Sequence, residues 1–157
     1  MNKCLFLSFI LLLIASEIYS QEYILRDKKF AKKSFAKYAA SRKVNTIVNE
    51  TDSTLNLLVR DSSVQHLDII LHYDQLGKCD SEQYLLSCDS CYQKFLKVTL
   101  NNPFCRWTKI DDNTYFARFP YRIILTAKLE NSYSYLLEKS KLEGSVYRKI
   151  VRESLNN

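Results

Sequence analysis

The chain has 157 residues, of which 46% are hydrophobic and 25% charged, and this composition is that of one globular domain rather than a disordered segment. Two glycines exclude the glycine-rich phosphate loops of nucleotide-binding folds, and two prolines exclude a proline-rich spacer. The net charge of +6 is uneven: residues 21–43 hold eight Lys or Arg and two Asp or Glu, whereas residues 44–157 hold equal numbers. The 13% aromatic content favours a fold that contains a sheet.

Residues 1–20 have the layout of a cleaved secretory signal. Lys3 precedes an apolar run, and the small residue Ser20 stands before Gln21. The run is shorter than the roughly 20 residues that a membrane span needs, so an uncleaved anchor is the weaker alternative. We therefore expect an exported protein, periplasmic or secreted. Removal of Cys4 with the signal leaves four cysteines, an even number that suggests disulfides in an exported chain.

The next segment, residues 21–62, is predicted to form a basic N-terminal helix and a connector. Phe30, Ser34 and Tyr38 follow each other at spacing four, and so do Ala31, Phe35 and Ala39, so that residues 26–43 have one apolar strip and no helix breaker. Two interpretations stay open: a solvated helix docked by its aromatic side chains, or a helix that touches anionic lipid or another polyanion. The lysines of this basic patch are Lys28, Lys29, Lys32, Lys33 and Lys37.

The connector holds two short β-branched runs, around residues 44–48 and 55–59. It also carries the glycosylation sequon Asn49-Glu50-Thr51, which matters only in a eukaryotic source.

Residues 63–128 are predicted to form an α+β domain. Alternating apolar residues predict a strand from Leu67 to Tyr73, Gly77 supplies a turn, and residues 79–86 return as a second strand. An apolar face predicts a helix that ends before Pro103. Residues 115–128 then read as one long strand interrupted only by Pro120.

The remaining residues, 129–157, are predicted to be a C-terminal helical extension. Ser132 can cap it, and apolar patches follow at Leu136–Leu137 and Val146–Val151. The expected fold class is therefore α+β: a small antiparallel sheet in the order strand–strand–helix–strand with one packed helix, flanked by helices at both ends.

A CxxC motif, Cys88-Asp-Ser-Cys91, follows a strand and opens a helix, a place where redox-active pairs also occur. Asp89 between the sulfurs opposes thiolate formation, and the preceding hairpin differs from a thioredoxin βαβ unit, so a structural pair is the favoured interpretation.

The four cysteines do not have the spacing of a zinc ribbon or finger. His66 and His72 would be about 20 Å apart on one strand and cannot share a metal. No other catalytic motif is present, so we expect neither an enzyme nor a cofactor; an exported thiol–disulfide protein that uses Cys88 and Cys91 is the alternative function.

Residues 67–125 resemble the C-terminal domain of the TonB family. The resemblance rests on LDIILHYDQLGKC, a helix at 88–100, the basic tryptophan segment at 106–109, a polar turn at 112–113 and an apolar-Pro-aromatic-basic run at 119–123. It implies a module of the cell envelope that binds an extended segment of a protein partner by strand pairing at a sheet edge. Nucleic acid is not an expected partner.

Proline within a strand is tolerated only at an edge or a bulge, so Pro120 independently marks the last strand as an edge. The residues expected to form this partner-binding edge are Tyr115, Phe119, Pro120, Tyr121 and Ile123.

The predicted topology also ranks the cysteine pairings. Cys79 begins the second strand, the helix runs back along the sheet, and Cys105 follows the helix, so the two should meet and form a disulfide. Cys88 and Cys91 lie at the far end of the sheet, paired with each other or reduced.

Overall fold

The protein folds into one eight-stranded antiparallel sheet with three helices in the part of the chain that the structure describes. The structure is a computed structural model and describes residues 23–60, 66–118, 122–131 and 134–155. The predicted signal, residues 1–20, lies outside the described residues. The helices are α1 (Lys28–Arg42), α2 (Asp89–Leu100) and α3 (Gly144–Leu155). The strands are β1 (Asn45–Glu50), β2 (Thr54–Arg60), β3 (His66–Tyr73), β4 (Cys79–Leu86), β5 (Trp107–Asp111), β6 (Thr114–Ala117), β7 (Ile123–Asn131) and β8 (Ser134–Lys141).

The chain passes through the same element order twice, one helix followed by four antiparallel strands. The first pass is α1 and β1 to β4, and the second is α2 and β5 to β8. The sheet order is β1-β2-β3-β4-β8-β7-β6-β5, so the last strands of the two passes pair with each other at the centre. The outer strands, β1 and β5, are therefore the first strands of their passes.

The main core lies between one face of the sheet and the helices α1 and α2. Alternate strand residues point into it, as in β2, where Leu55, Leu57 and Val59 are buried. Phe35 of α1 and Phe95 of α2 belong to the same cluster of buried residues. This alternation of buried and half-buried positions is what a sheet covered on one face requires.

The helix α3 lies on the opposite face of the sheet. Phe116 pairs with Ile124 in the β6–β7 register, whereas the neighbouring pair Ala117 and Ile123 belongs to the main core. Because successive strand residues point to opposite faces, Phe116 lies on the face away from that core. Phe116 is fully buried, and its ring makes an edge contact with Tyr147 of α3 at 6.4 Å between ring centroids.

The α+β class and the antiparallel sheet are confirmed, and several predicted elements hold. The strands at residues 67–73 and 79–86 are β3 and β4, the helix after Cys88 is α2, and the basic N-terminal helix is α1. Gly77 has φ +70° in the turn between β3 and β4, as its position in the sequence indicated.

Other expectations are wrong in detail. The sheet has eight strands rather than a few, because the connector forms β1 and β2 and the region after Glu130 forms β8. The helix predicted around Leu136 and Leu137 is a strand because that segment pairs with β4 on one side and β7 on the other, and this pairing outweighs local propensity. The single strand expected over residues 115–128 is two antiparallel strands, β6 and β7.

Candidate functional site

The strand β1 is the more accessible of the two outer strands. It pairs with β2 on one side only, with an unbroken register from Asn45 to Glu50. Ile47 is 49% exposed and Val48 45% exposed, although they point to opposite faces of the sheet. An outer strand of unbroken register that carries two exposed apolar residues and has no proline, lysine or bulge lacks most of the features that usually prevent strand addition.

The strand β5, at the other side of the sheet, has such features. It is five residues long, carries Lys109, and has a register irregularity between Lys109 and Asp111. A short, charged and irregular strand pairs poorly with an added strand. The two outer strands of the described sheet therefore differ in their capacity to accept a partner.

The edge predicted from the sequence is wrong for the residues that the structure describes. Tyr115 lies in β6, between β5 and β7, and Ile123 lies in β7, between β6 and β8, so both belong to interior strands. Phe119, Pro120 and Tyr121 lie outside the described residues. The sequence analysis predicted no strand at β1, although the β-branched run around residues 44–48 was a signal for one.

The basic patch of α1 lies beside β1. Lys32 Nζ is 2.8 Å from a carboxylate oxygen of Glu50 at the end of β1. Lys28 Nζ is 3.7 Å from the other oxygen and also donates to the backbone carbonyls of Thr51 and Asp52. The hydrogen bond to Lys32 is the main cause that lowers the pKa of Glu50; desolvation opposes it, and the charges of Lys32 and Lys28 add to the lowering.

The other lysines of the patch are exposed. Lys29, Lys33 and Lys37 form no ion pair within the described ranges, so their charge is open to solvent along α1. The five lysines predicted as a patch thus divide into two that hold the end of β1 and three that are available to an anionic partner.

Cys88 and Cys91 form a disulfide at the N-terminus of α2, with a Cα–Cα distance of 5.3 Å. Cys88 is the N-cap residue, and its Sγ atom accepts a hydrogen bond from the backbone N–H of Cys91 at 3.1 Å. Both cysteines are half-buried, whereas the neighbours Ser87, Asp89 and Ser90 are exposed.

Aromatic side chains surround this helix terminus. The rings of Tyr92 and Tyr135 stack at 4.6 Å between centroids. Burial, then the charge of Asp89 and a hydrogen bond to it, raise the pKa of Tyr135. The pKa of Tyr92 is raised by burial, then by Tyr115 and Asp89. The Asp89 carboxylate therefore interacts with the phenol of Tyr135 across the gap between α2 and β8.

The predicted bridge between Cys79 and Cys105 is wrong. Neither residue is in a disulfide, and both are buried in the main core. Cys79 begins β4, whereas Cys105 precedes β5, which lies four strand positions away in the sheet. Four spacings correspond to about 19 Å along the sheet, against the 7 Å or so that a disulfide allows. The Cys79 thiol donates instead to the carbonyl of Ser81.

A buried charged network lies at the centre of the sheet. Glu82 of β4 accepts the backbone N–H groups of Tyr23 and Ile24 and the hydroxyl of Tyr84. Lys139 of β8 is its ion-pair partner. Because both charged groups are buried, this network fastens the segment before α1 to the sheet rather than offering a surface to a ligand.

Within the described residues, no group of three or more His, Cys, Asp and Glu side chains is placed to hold a metal ion. His72 is half-buried in β3, and its Nε2 atom has no hydrogen-bond partner there. Among the helices that the structure describes, none has both the length and the apolar character needed to cross a bilayer.

No family model, curated protein or solved structure matches this chain. Among the described residues, the features that bear on function are the strand β1, the helix α1 and the Cys88–Cys91 pair.

Proposed function

We propose that this protein is an exported interaction module that binds an extended, acidic segment of a partner protein by adding it as a strand to β1. The observation that carries the proposal is the exposure of Ile47 and Val48 on an outer strand of unbroken register. An added strand would satisfy the unpaired backbone groups of β1 and cover these two side chains. The signal-like residues 1–20 support export.

The chemistry of the partner follows from α1. A strand added outside β1 would run beside the helix whose Lys28 and Lys32 already reach Glu50. Carboxylates on that strand would be attracted by the exposed ammonium groups of Lys29 and Lys33 on the same helix. Opposite charges speed encounter and fix the register of an added strand, so an acidic segment is favoured over a neutral one.

The TonB-like resemblance of residues 67–125 implies the same binding mode at a different strand. We retain strand addition in the cell envelope as the binding mode, but we assign it to β1, which lies outside the segment that carries the resemblance. Enzymatic activity and a cofactor form no part of it.

Binding can be measured by fluorescence anisotropy of a labelled peptide of about ten residues that alternates Val and Glu. Two matched peptides serve as controls: one with Lys in place of Glu, and one with N-methyl groups on alternate backbone nitrogens. We expect binding of the acidic peptide, loss of binding on methylation because the ladder cannot form, and weaker binding as salt is raised.

Charge-reversal variants test the role of α1. Lys29→Glu with Lys33→Glu should weaken binding by about tenfold at low salt, because two attractive charges become repulsive. The matched control is Lys94→Glu with Lys97→Glu, which makes the same change on α2. Equal weakening by both pairs would indicate an effect of net charge alone and would contradict the assigned surface.

Edge variants test the role of β1. Ile47→Asp should abolish binding, whereas Ile110→Asp on the other outer strand, β5, should leave it unchanged. Vesicles with anionic lipid form the last arm of the test. Binding to such vesicles that depends on α1 but not on Ile47, with no binding of the peptide, would overturn the proposal in favour of a membrane surface.

A further inference from the structure

The two passes of the chain begin their helices with different capping groups. Asp27 caps α1, where its carboxylate accepts the backbone N–H of Phe30 at 2.8 Å. At the equivalent position of α2 the cap is Cys88, whose sulfur accepts the N–H of Cys91. We propose that Cys88 and Cys91 form a thiol–disulfide exchange site, in which Cys88 is the sulfur that attacks and is attacked by a partner.

The capping geometry favours a charged sulfur at Cys88. Sulfur in a thiol or disulfide is a weak hydrogen-bond acceptor, so a cysteine is a poor choice if capping were its only role. A thiolate is a strong acceptor and would take the place that the Asp27 carboxylate has in α1. The N-terminus of a twelve-residue helix also favours negative charge, against the opposing charge of Asp89 in its first turn.

The two sulfurs have different surroundings. Cys91 packs against the main core, whereas the sulfur of Cys88 lies beside the exposed hydroxyl of Ser90 at 3.5 Å. A partner therefore reaches Cys88 more easily than Cys91. This asymmetry assigns Cys88 as the attacking sulfur and Cys91 as the resolving one.

A purely structural role explains the bond less well. The disulfide closes a loop of only four residues, and the entropy that a cross-link removes from the unfolded chain is smallest for short loops. Residues 88–91 are also held already by the helix that they begin. The bond adds little constraint that α2 does not itself provide.

The exchange reaction is balanced with a protein or peptide disulfide as the oxidant. The Cys88 thiolate attacks one partner sulfur, the partner S–S bond breaks, and the first partner thiolate leaves and takes up a proton. The Cys91 thiol then loses its proton and attacks Cys88, which releases the second partner thiolate. Two electrons pass to the partner and the Cys88–Cys91 bond is restored; a dithiol partner drives the reverse reaction.

The experiment uses the mature chain, reduced and then exposed to glutathione disulfide, with mass spectrometry of alkylated samples. The wild type should regain the Cys88–Cys91 bond. Cys91→Ser should accumulate a mixed disulfide with glutathione at Cys88. Cys88→Ser should react at Cys91 at least about fivefold more slowly, because the Cys91 sulfur is not at the capping position and is less accessible to glutathione disulfide.

Two controls separate this site from general thiol reactivity. Cys79→Ser with Cys105→Ser should leave the reaction of the pair unchanged. A synthetic peptide of residues 85–95, too short to form a stable helix, should react with glutathione disulfide about fivefold more slowly than the folded Cys91→Ser protein. Circular dichroism establishes that each variant is folded.

Equal rates for the two single variants, or a folded protein no faster than the peptide, would overturn the proposal. A Cys88→Ser, Cys91→Ser double variant that unfolds at a much lower urea concentration would also overturn it, in favour of a structural bond. None of these outcomes depends on peptide binding at β1, so this site and the proposed function can fail separately.

Discussion

Glu82 and Lys139 face each other across the two central strands, with Glu82 Oε2 at 3.4 Å from Lys139 Nζ. The two side chains are register partners, one from each pass of the chain, and both are almost completely buried. Glu82 also binds two backbone N–H groups of the segment before α1. One carboxylate thus joins β4, β8 and the N-terminal segment.

Replacement of Lys139 by Met is expected to lower the free energy of unfolding by about 3–5 kcal/mol, because it leaves the buried Glu82 carboxylate without its cation. Urea denaturation measures the loss. In the double variant Glu82→Leu, Lys139→Met, part of the loss should be recovered, but the N–H groups of Tyr23 and Ile24 stay without their acceptor. Full recovery would mean that the contact with the N-terminal segment contributes nothing to stability.

Two buried tyrosines predict a loss of stability at high pH. Burial, and then the charge of Glu82, raises the pKa of Tyr23, while burial and then Cys79 raise that of Tyr73. An unfolded tyrosine ionises near pH 10, whereas these two keep their protons in the folded protein. Their contribution is therefore complete below about pH 10 and is lost as the pH rises from there towards the folded pKa values.

This loss of stability can be checked by tyrosinate absorbance together with urea denaturation at a series of pH values above 9. Tyr23→Phe and Tyr73→Phe should each reduce the alkaline loss of stability, and Tyr147→Phe serves as the control. Tyr73→Phe should be neutral or slightly stabilising at pH 7, because the Tyr73 hydroxyl is buried and has no hydrogen-bond partner among the described residues. A loss above about 2 kcal/mol at pH 7 would contradict this account.

Substitution of the glycine in the turn between β3 and β4 is expected to strain the backbone. Gly77 has φ +70°, and an added Cβ atom would meet nothing within 4 Å. Gly77→Ala should therefore cost about 1–2 kcal/mol through backbone strain alone. Gly77→Asn should cost less because Asn tolerates the left-handed region. Equal costs for the two variants would indicate that side-chain contacts, not φ, decide the result.

Local patterns in the sequence predicted only some of the elements whose pairing is local. The hairpin of β3 and β4 could be predicted because alternation, Gly77 and the return strand lie within residues 67–86. The strand β8 was not predicted, although its hairpin with β7 is equally local, because Leu136 and Leu137 read as an apolar helical patch and the second partner, β4, is about fifty residues away. The same long-range arrangement places Cys105 far from Cys79 along the sheet.

The candidate sites divide in the same way. The Cys88–Cys91 motif and the α1 lysines are visible in the sequence because their residues are neighbours along the chain. The open strand β1 is not, because whether a strand is outer or interior depends on the order of the whole sheet. Pro120 indicated an edge, yet the described strands next to it, β6 and β7, are both interior.

The last prediction concerns the attachment of α3. A helix of twelve residues is marginal on its own, so its stability must come from packing on the sheet. Phe116 is a fully buried side chain on that face, and its contact with Tyr147 joins β6 to the helix. Phe116→Ala should cost about 3 kcal/mol and should also accelerate hydrogen exchange of the α3 amides.

The matched control is Phe35→Ala, which removes an equally buried ring from the main core under α1. Phe35→Ala should lower the free energy of unfolding, measured by urea denaturation, at least as much as Phe116→Ala does. In Phe35→Ala, however, the α3 amides should exchange no faster than global unfolding allows. Exchange in Phe116→Ala should instead be selective: fast in α3 and slower in β4 and β8. Equal acceleration in all three elements would mean that α3 is held by the fold as a whole rather than through Phe116.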